Sequence, residues 1–285
     1  MLILPVLYFI IFKYGPMIGN VLAFRKYSPT SPLLGSEWAG FEYFRQFLTS
    51  EDFWVKFKNT LTISITSLVF SFPAPIIFAL LLNEIVNLKF KKFVQTASYL
   101  PHFISSVVLA GFIFQVTSTN GGIINDIIAA LGGEKINFMA DPDYFVPIYV
   151  ISGIWQELGW NAIIYIAAMT GIDQSLYEAG AIDGTNKFSE IIYITLPCIS
   201  PTIIISLILS IGGILSVGYE KILLLMNDMN MEKADVISTY VYRMGLINNN
   251  YSYSTAVGLF DAVIGLILVY SANFISNKIT DTSLW

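Results

Sequence analysis

Thiol and imidazole are almost missing from this 285-residue chain, which holds one cysteine, Cys198, and one histidine, His102. A lone cysteine excludes an internal disulfide framework, and one cysteine with one histidine falls short of the usual zinc sets. Charge is scarce too. Asp, Glu, Lys and Arg make up 12% of the residues, against about a quarter in a soluble domain. The net charge is -5 and the Lys and Arg residues form no tract, which leaves no basic footprint and excludes nucleic acid as a partner. No G-x-x-x-x-G-K-S/T loop occurs, so the chain cannot cradle ATP phosphates in the usual way, and no cofactor site of its own is expected. An intramembrane enzyme would need a constellation that one His, one Cys and scattered acids at unmatched depths do not make.

What the chain has is apolar length. Hydrophobic residues make up 55% of it and the mean hydropathy is +0.67. The pattern predicts an all-α membrane protein forming a single domain over 1–285, with six apolar windows near the length of about 20 residues that a spanning helix needs. These are 1–24, 60–82, 98–116, 145–171, 202–225 and 255–275. Pro5, Pro16, Pro73, Pro75 and Pro101 fall in or beside them, as spanning helices tolerate where neighbours satisfy the freed carbonyls. The first window opens at Met1 without the basic head or the small-residue cleavage site of a signal peptide, so the expectation is a chain that lacks a short cytoplasmic extension or starts late. Between Glu37 and Lys58, Trp38, Phe41, Tyr43, Phe44, Phe47, Phe53 and Trp54 interleave with charges, a composition suited to an interfacial amphipathic helix, with direct contact with a partner as the second reading. Asn120-Gly121-Gly122, the run after it and Gly132-Gly133 read as a turn, a short helix and a second turn. A lone sequon at Asn250 carries no weight.

The most informative segment is the polar island 172–199. Asp173 or Ser175 can cap a helix through Ile182, Gly184 can end it in a left-handed conformation, and a second short helix is expected from about Lys187 to Tyr193. Leu196-Pro197 is then expected to redirect the chain into the fifth span. Ala181, Ile182, Phe188 and Ile191 would offer apolar surface to a groove, a helix-in-groove mode.

Glu178-Ala179-Gly180, three residues, Gly184, nine residues, then Ile194, Leu196 and Pro197 resemble the EAA signature of ABC importer permeases, with Gly180 in place of the second alanine. Tyr14-Gly15-Pro16-Met17, Ala23-Phe24-Arg25-Lys26-Tyr27, Trp38 to Phe44, Leu100-Pro101-His102-Phe103-Ile104-Ser105 and Leu176 to Ala179 resemble the type I carbohydrate-importer permeases, most closely their oligosaccharide and polysaccharide-fragment branch. The resemblance implies a bacterial cytoplasmic-membrane subunit. Its implied partners are a second six-helix permease in a heterodimer, two cytoplasmic ATPases that bind the ATP and Mg, and an extracellular sugar-binding protein. The implied cargo is an oligosaccharide, acidic in some members of the branch. The coupling set implied is Glu178, Ala179, Gly180, Ala181, Ile182, Asp183, Gly184, Phe188, Leu196 and Pro197. Lys and Arg counts leave the orientation open; an ATPase-binding loop puts 83–97, 172–199 and the C-terminus inside, and 25–58, 117–144 and 226–254 outside.

A sugar path should show polar and aromatic residues breaking apolar spans, because charged groups inside spans tend to face a cavity. Trp155, Gln156, Glu157, Trp160 and Asn161 do so in the fourth span, and two readings stay open for them: lining the path, or interfacial belt and helix-packing glue. Tyr219, Glu220 and Asp261 are further candidates, Lys13 snorkels, and His102 reads as a structural hydrogen-bonding residue rather than a proton relay. Arg243 and Lys221 are the cations available to an acidic cargo at the outer end, with any others left to the partner permease. A permease for a non-sugar solute remains an alternative, and an ion-driven carrier or channel a more distant one.

Overall fold

The computed structural model describes residues 3–29, 36–280 and 283–284. Met1 and Leu2 of the first expected span and positions 30–35 of the first outer segment lie outside them. The described residues form helices joined by short connections, and their one β feature is an isolated bridge between Arg25 and Trp38.

Helix α1 (Ile3–Phe24) is followed by the short α2 (Glu42–Leu48) and the long α3 (Glu51–Asn83). The Ser50 hydroxyl caps α3 by accepting from the Phe53 N–H, and Glu51 and Asp52 place negative charge on its first turn. So α3 begins well before position 60. Phe47 and Phe53 are fully buried, with ring centroids 5.3 and 5.9 Å from Phe260. The aromatic segment expected outside therefore divides: Trp38 and Phe41 stay exposed, while α2 and the start of α3 dock on the C-terminal helix instead of lying wholly at the interface.

The third expected span is not one straight helix. Helix α4 (Leu88–Phe103) and α5 (Ser106–Thr117) meet at a bend of 101°. Pro101 tightens the end of α4 into a 3-10 turn, Ile104 is extended at φ -76° and ψ 127°, and the Ser105 hydroxyl caps α5 by accepting from Val108 N–H. Unbroken hydropathy from Ser98 to Val116 conceals a capped helix start inside it. Helix α6 (Ile123–Ala130) follows, between Gly121 and Gly132 at φ of 75° and 85°, which is the turn, helix and turn expected. Helix α7 (Phe145–Thr170) matches the fourth window almost to the residue.

After α8 (Gln174–Ile182) comes the second departure, because α9 (Lys187–Gly212) runs straight through Leu196-Pro197. A π turn over Ile191–Thr195 precedes the proline, with Leu196 N–H donating to Ile191 O. Pro197 then stands in the first turn of the resumed α-helix, where its missing N–H costs nothing. The fifth expected span shifts accordingly: its helix ends at Gly212, 213–218 is non-helical, and α10 (Tyr219–Leu225) is a separate piece. Short α11 (Met231–Ala234) and α12 (Ile237–Tyr242) lead to α13 (Tyr251–Thr280).

Among the described residues α1, α3, α9 and α13 are long and apolar enough to cross a membrane, and the bent α4–α5 pair counts as a fifth. At 26 residues, or about 39 Å, α7 is also long enough, but Trp155 to Asn161 lower its hydropathy. Three apolar clusters hold the helices together. Ile63, Leu109, Phe145 and Leu225 join α3, α5, α7 and α10; Ala23, Phe47, Ile237 and Val257 join α1, α2, α12 and α13; Ile76, Leu80, Ala162 and Ile199 join α3, α7 and α9. Large side chains left outside them, such as Ile3, Leu4 and Phe12 on α1, are more than half exposed, as lipid-facing helices require.

Contacts between connections sort them into two groups. Ser252 Oγ accepts from Tyr27 N–H at 3.1 Å and donates to Arg25 O at 2.6 Å. Asn227 Nδ2 donates to Met139 O at 2.9 Å and Lys233 pairs with Asp143. The second group is joined by Lys187 and Glu84, 4.0 Å apart.

Candidate coupling loop and central cavity

The 172–199 island is built from local capping. The Asp173 carboxylate accepts from Ser175 N–H at 2.9 Å to start α8, and that bond holds its carboxyl below the usual carboxylate range. Helix α8 ends in a complete Schellman motif: Thr185 N–H donates to Gly180 O at 3.0 Å, and Gly184 N–H to Ala181 O at 3.2 Å. Gly184 takes φ +76°, as expected of a C-terminal glycine, and Asp183 is the C-cap. Asn186 then caps α9, its side chain accepting from Ser189 N–H at 2.9 Å.

Two contacts close the hairpin. Tyr177 Oη and Thr195 Oγ1 lie 2.9 Å apart, and a Cβ placed on buried Gly180 would fall 2.9 Å from Ile194 Cδ1 and 3.0 Å from Thr185 Oγ1. Glycine at 180 thus permits close approach of α8 to α9. Glu178, Ala179 and Ala181 remain exposed, as does Pro197, while Leu196 packs into the α3–α7–α9 cluster. Ile182 is 87% and Phe188 72% exposed, a pair of apolar knobs at the turn. Ile191, expected beside them, packs instead against that same cluster, because the π turn rotates it inward.

A cavity of about 740 Å³ opens among α3, α7 and α9. Trp160 and Asn161 line it, and the other six expected path residues do not. Trp155 stacks on Phe112 at 5.8 Å. Gln156 Nε2 donates to Ile104 O at 3.0 Å, and Glu157 Oε2 lies 2.9 Å from His102 Nδ1. The His102 ring stacks on Trp160 at 4.2 Å and 2°. These side chains pin the α4–α5 bend to the middle of α7, and His102 is the hydrogen-bonding residue expected. Tyr219 packs on Tyr242 at 5.6 Å, and Glu220 accepts from Ser106 Oγ at 3.0 Å. Asp261 is half-buried in α13, with Oδ1 unpartnered.

What sequence reasoning missed is serine. Ser64, Ser67 and Ser71 on α3 and Ser206 and Ser210 on α9 all line the cavity, along with Tyr149 and Tyr165. Their signal was present as helical spacing, i, i+3, i+7 and i, i+4. Because serine scarcely lowers hydropathy, no window is broken by it. The two cations considered for an acidic cargo are both engaged. Arg243 Nη2 meets Asp235 Oδ2 at 2.5 Å, and Lys221 Nζ donates to Tyr149 O at 3.1 Å. On the same side as Asp235, the Asp143 carboxylate beside Lys233 raises that ammonium above its ordinary range.

Comparison with known proteins decides the family. Residues 64–281 match the family described as "Binding-protein-dependent transport system inner membrane component". The chain belongs to this family. Protein LplB of Bacillus subtilis (strain 168) is 45% identical over 100% of this chain and 90% of its own length. The polygalacturonan/rhamnogalacturonan transport system permease protein YteP of the same organism is 46% identical over 100% of this chain and 89% of its own. A chain of the crystal structure of a bacterial alginate ABC transporter, in complex with an alginate pentasaccharide-bound periplasmic protein, superposes with a TM-score of 0.92 at 43% identity. That match covers 100% of this chain and 95% of the other. The permease is thus an inner-membrane component of a transport system, with the all-helical fold of that family.

Proposed function

We propose that this permease is one half of the membrane channel of an ATP-driven oligosaccharide importer, and that its cargo is acidic and uronate-containing. The observation that carries the reading is the capped hairpin at Gln174–Ile182 and Lys187 onward, which holds Ile182 and Phe188 outward, the second of them on a helix continuous with a candidate spanning helix. Such a lever suits a subunit that receives force instead of generating it. Six spans follow when α1, α3, the α4–α5 pair, α7, α9 and α13 are each counted once. An even number of crossings agrees with the two groups of mutually touching connections. The one containing Glu84 and Lys187 is then cytoplasmic. The whole chain, 1–285, is a single transmembrane domain in this reading.

ATPase closure would draw this loop toward its counterpart on a second, related permease. Helices rigidly joined to the loops would then rock about the cavity, alternating access by rigid-body motion. ATP and Mg would reside on the two cytoplasmic ATPases, and an extracellular binding protein would deliver the sugar. Support for the cargo comes from what the relatives carry by name, polygalacturonan or rhamnogalacturonan in one case and alginate in another. The test is reconstitution in lipid with co-encoded membrane and ATPase partners and each genetically linked binding protein. Hydrolysis stimulated by a binding protein loaded with an acidic oligosaccharide is expected; absence of any co-purifying ATPase would overturn the reading. Glu178→Lys should abolish ATPase pulldown while leaving membrane insertion intact.

A further inference from the structure

We propose that the central cavity is a carbohydrate site that this chain walls with uncharged groups, chiefly serine hydroxyls, reading the hydroxyl pattern of a sugar and leaving its charge unread. The inference rests on the importer reading and assigns residues and ligand chemistry within it. Ser64, Ser67 and Ser71 share one face of α3, and Ser206 and Ser210 share one face of α9, all of them on the cavity wall. A serine in an apolar helix ordinarily returns its proton to a carbonyl of its own helix. Ser210 does so, donating to Ser206 O at 2.8 Å. Ser64 does not: it is only 7% exposed, and its Oγ has no hydrogen-bond partner. A buried hydroxyl without a partner is costly in a low-dielectric span. The Oγ is closed off from the cavity in this conformation, so a ligand hydroxyl would satisfy it after a change of the Ser64 rotamer.

Backbone adds to the same surface. Where α9 ends at Gly212, the non-helical stretch 213–218 continues along the cavity, with Gly213, Ser216 and Gly218 on its wall. Irregular backbone at membrane depth is tolerated where it lines a water-filled space, because its peptide groups then find partners there. Trp160, held from behind by His102 at 4.2 Å, supplies an aromatic surface for sugar C–H faces. A volume of about 740 Å³ lies within the roughly 300–1,000 Å³ of small-molecule sites, far more than an ion needs. Among the described residues that line it, none is Asp, Glu, Lys or Arg. A uronate carboxylate would meet no charged side chain on this wall, where Lys221 is turned onto Tyr149 and donates to its carbonyl, so its direct counter-charge belongs to the partner permease.

The test uses the assembled complex in lipid and has two arms. In a Cys198→Ser background, Ser67→Cys is labelled with a water-soluble maleimide and the label on this chain is counted by mass. A galacturonate trisaccharide and its carboxyl-reduced neutral counterpart are each expected to slow labelling to the same degree. Protection by neither, or by the acidic sugar alone, overturns the proposal. In the second arm, sugar imported per ATP hydrolysed should fall about tenfold in Ser64→Ala with Ser67→Ala, the loss of one or two net hydrogen bonds. Ser67→Thr, which keeps a hydroxyl, should restore most of the loss when it replaces Ser67→Ala. An unchanged ratio in the alanine pair overturns the site. Wild-type complex that shows no ATP-dependent uptake at all overturns the importer reading itself, which separates the two failures.

Discussion

Gly180 and Gly184 lie four residues apart and are glycine for different reasons. Gly184 holds φ +76°, which a β-branched side chain adopts only with strain of about 1–2 kcal/mol. Gly180 leaves the space that Ile194 fills. Gly184→Val should therefore weaken the Schellman turn and, on the proposed coupling role, lower ATPase co-purification from membranes, with insertion unchanged; full ATPase recovery would remove that role from this turn. The first of these glycine roles is legible in sequence, since a glycine at the end of a capped polar segment has a local cause. The second is not, because Ile194 meets Gly180 only after the hairpin folds back. Asn125 illustrates the same limit. It is fully buried, its Nδ2 sharing two hydrogens among Thr117 O, Ser118 O and Ile136 O while its Oδ1 accepts from Ile136 N–H. Asn125→Leu should cost on the order of 2–4 kcal/mol through the stranded peptide groups, read as a lower melting temperature of the purified complex, while ATPase pulldown stays intact.

At the scale of elements, the bend between α4 and α5 is held against α7 at one close approach. A Cβ on Gly159 would fall 2.3 Å from Ser98 O, a backbone atom that cannot swing aside. Gly159→Leu should push α4 off α7, lower the melting temperature and abolish uptake. Gly153→Ala, whose methyl would meet Lys221 Nζ at 3.6 Å, should behave as wild type. Equal tolerance of both would show that the α4–α7 contact is not required. Apolar windows placed α7 and the core of α13 well, since each is one uninterrupted helix. They misplaced the third and fifth spans. Hydropathy averages over a window, and neither a serine cap such as Ser105 nor a π turn that lets Pro197 ride inside a helix changes that average.

For the whole molecule, long-range polar contacts lock the connections on the side of 226–254 into one piece. Asp235, with a side chain 2% exposed, is held by Arg243 at 2.5 Å and Lys56 at 3.7 Å, and its carbonyl accepts from Asn59 Nδ2 at 2.9 Å. Removing one partner of a buried carboxylate costs more than replacing the whole group by apolar side chains. Arg243→Met should thus destabilise the permease by about 2 kcal/mol, and adding Asp235→Leu should recover part of that loss in thermal unfolding. A double variant weaker by the sum of the two single losses would show that the pair is not coupled.

The sequence by itself determined that this chain lies in a membrane, that one cysteine and no G-x-x-x-x-G-K-S/T loop occur in it, and where its capped polar hairpin lies. Each of those follows from composition or from contacts within a few residues. Tertiary structure alone decided that the cavity is walled by serines from α3 and α9, that Trp155, Gln156 and Glu157 face a helix bend instead, and that Arg243 and Lys221 are engaged. Those facts depend on which faces of distant helices meet, and helical spacing names a face without naming what it will touch.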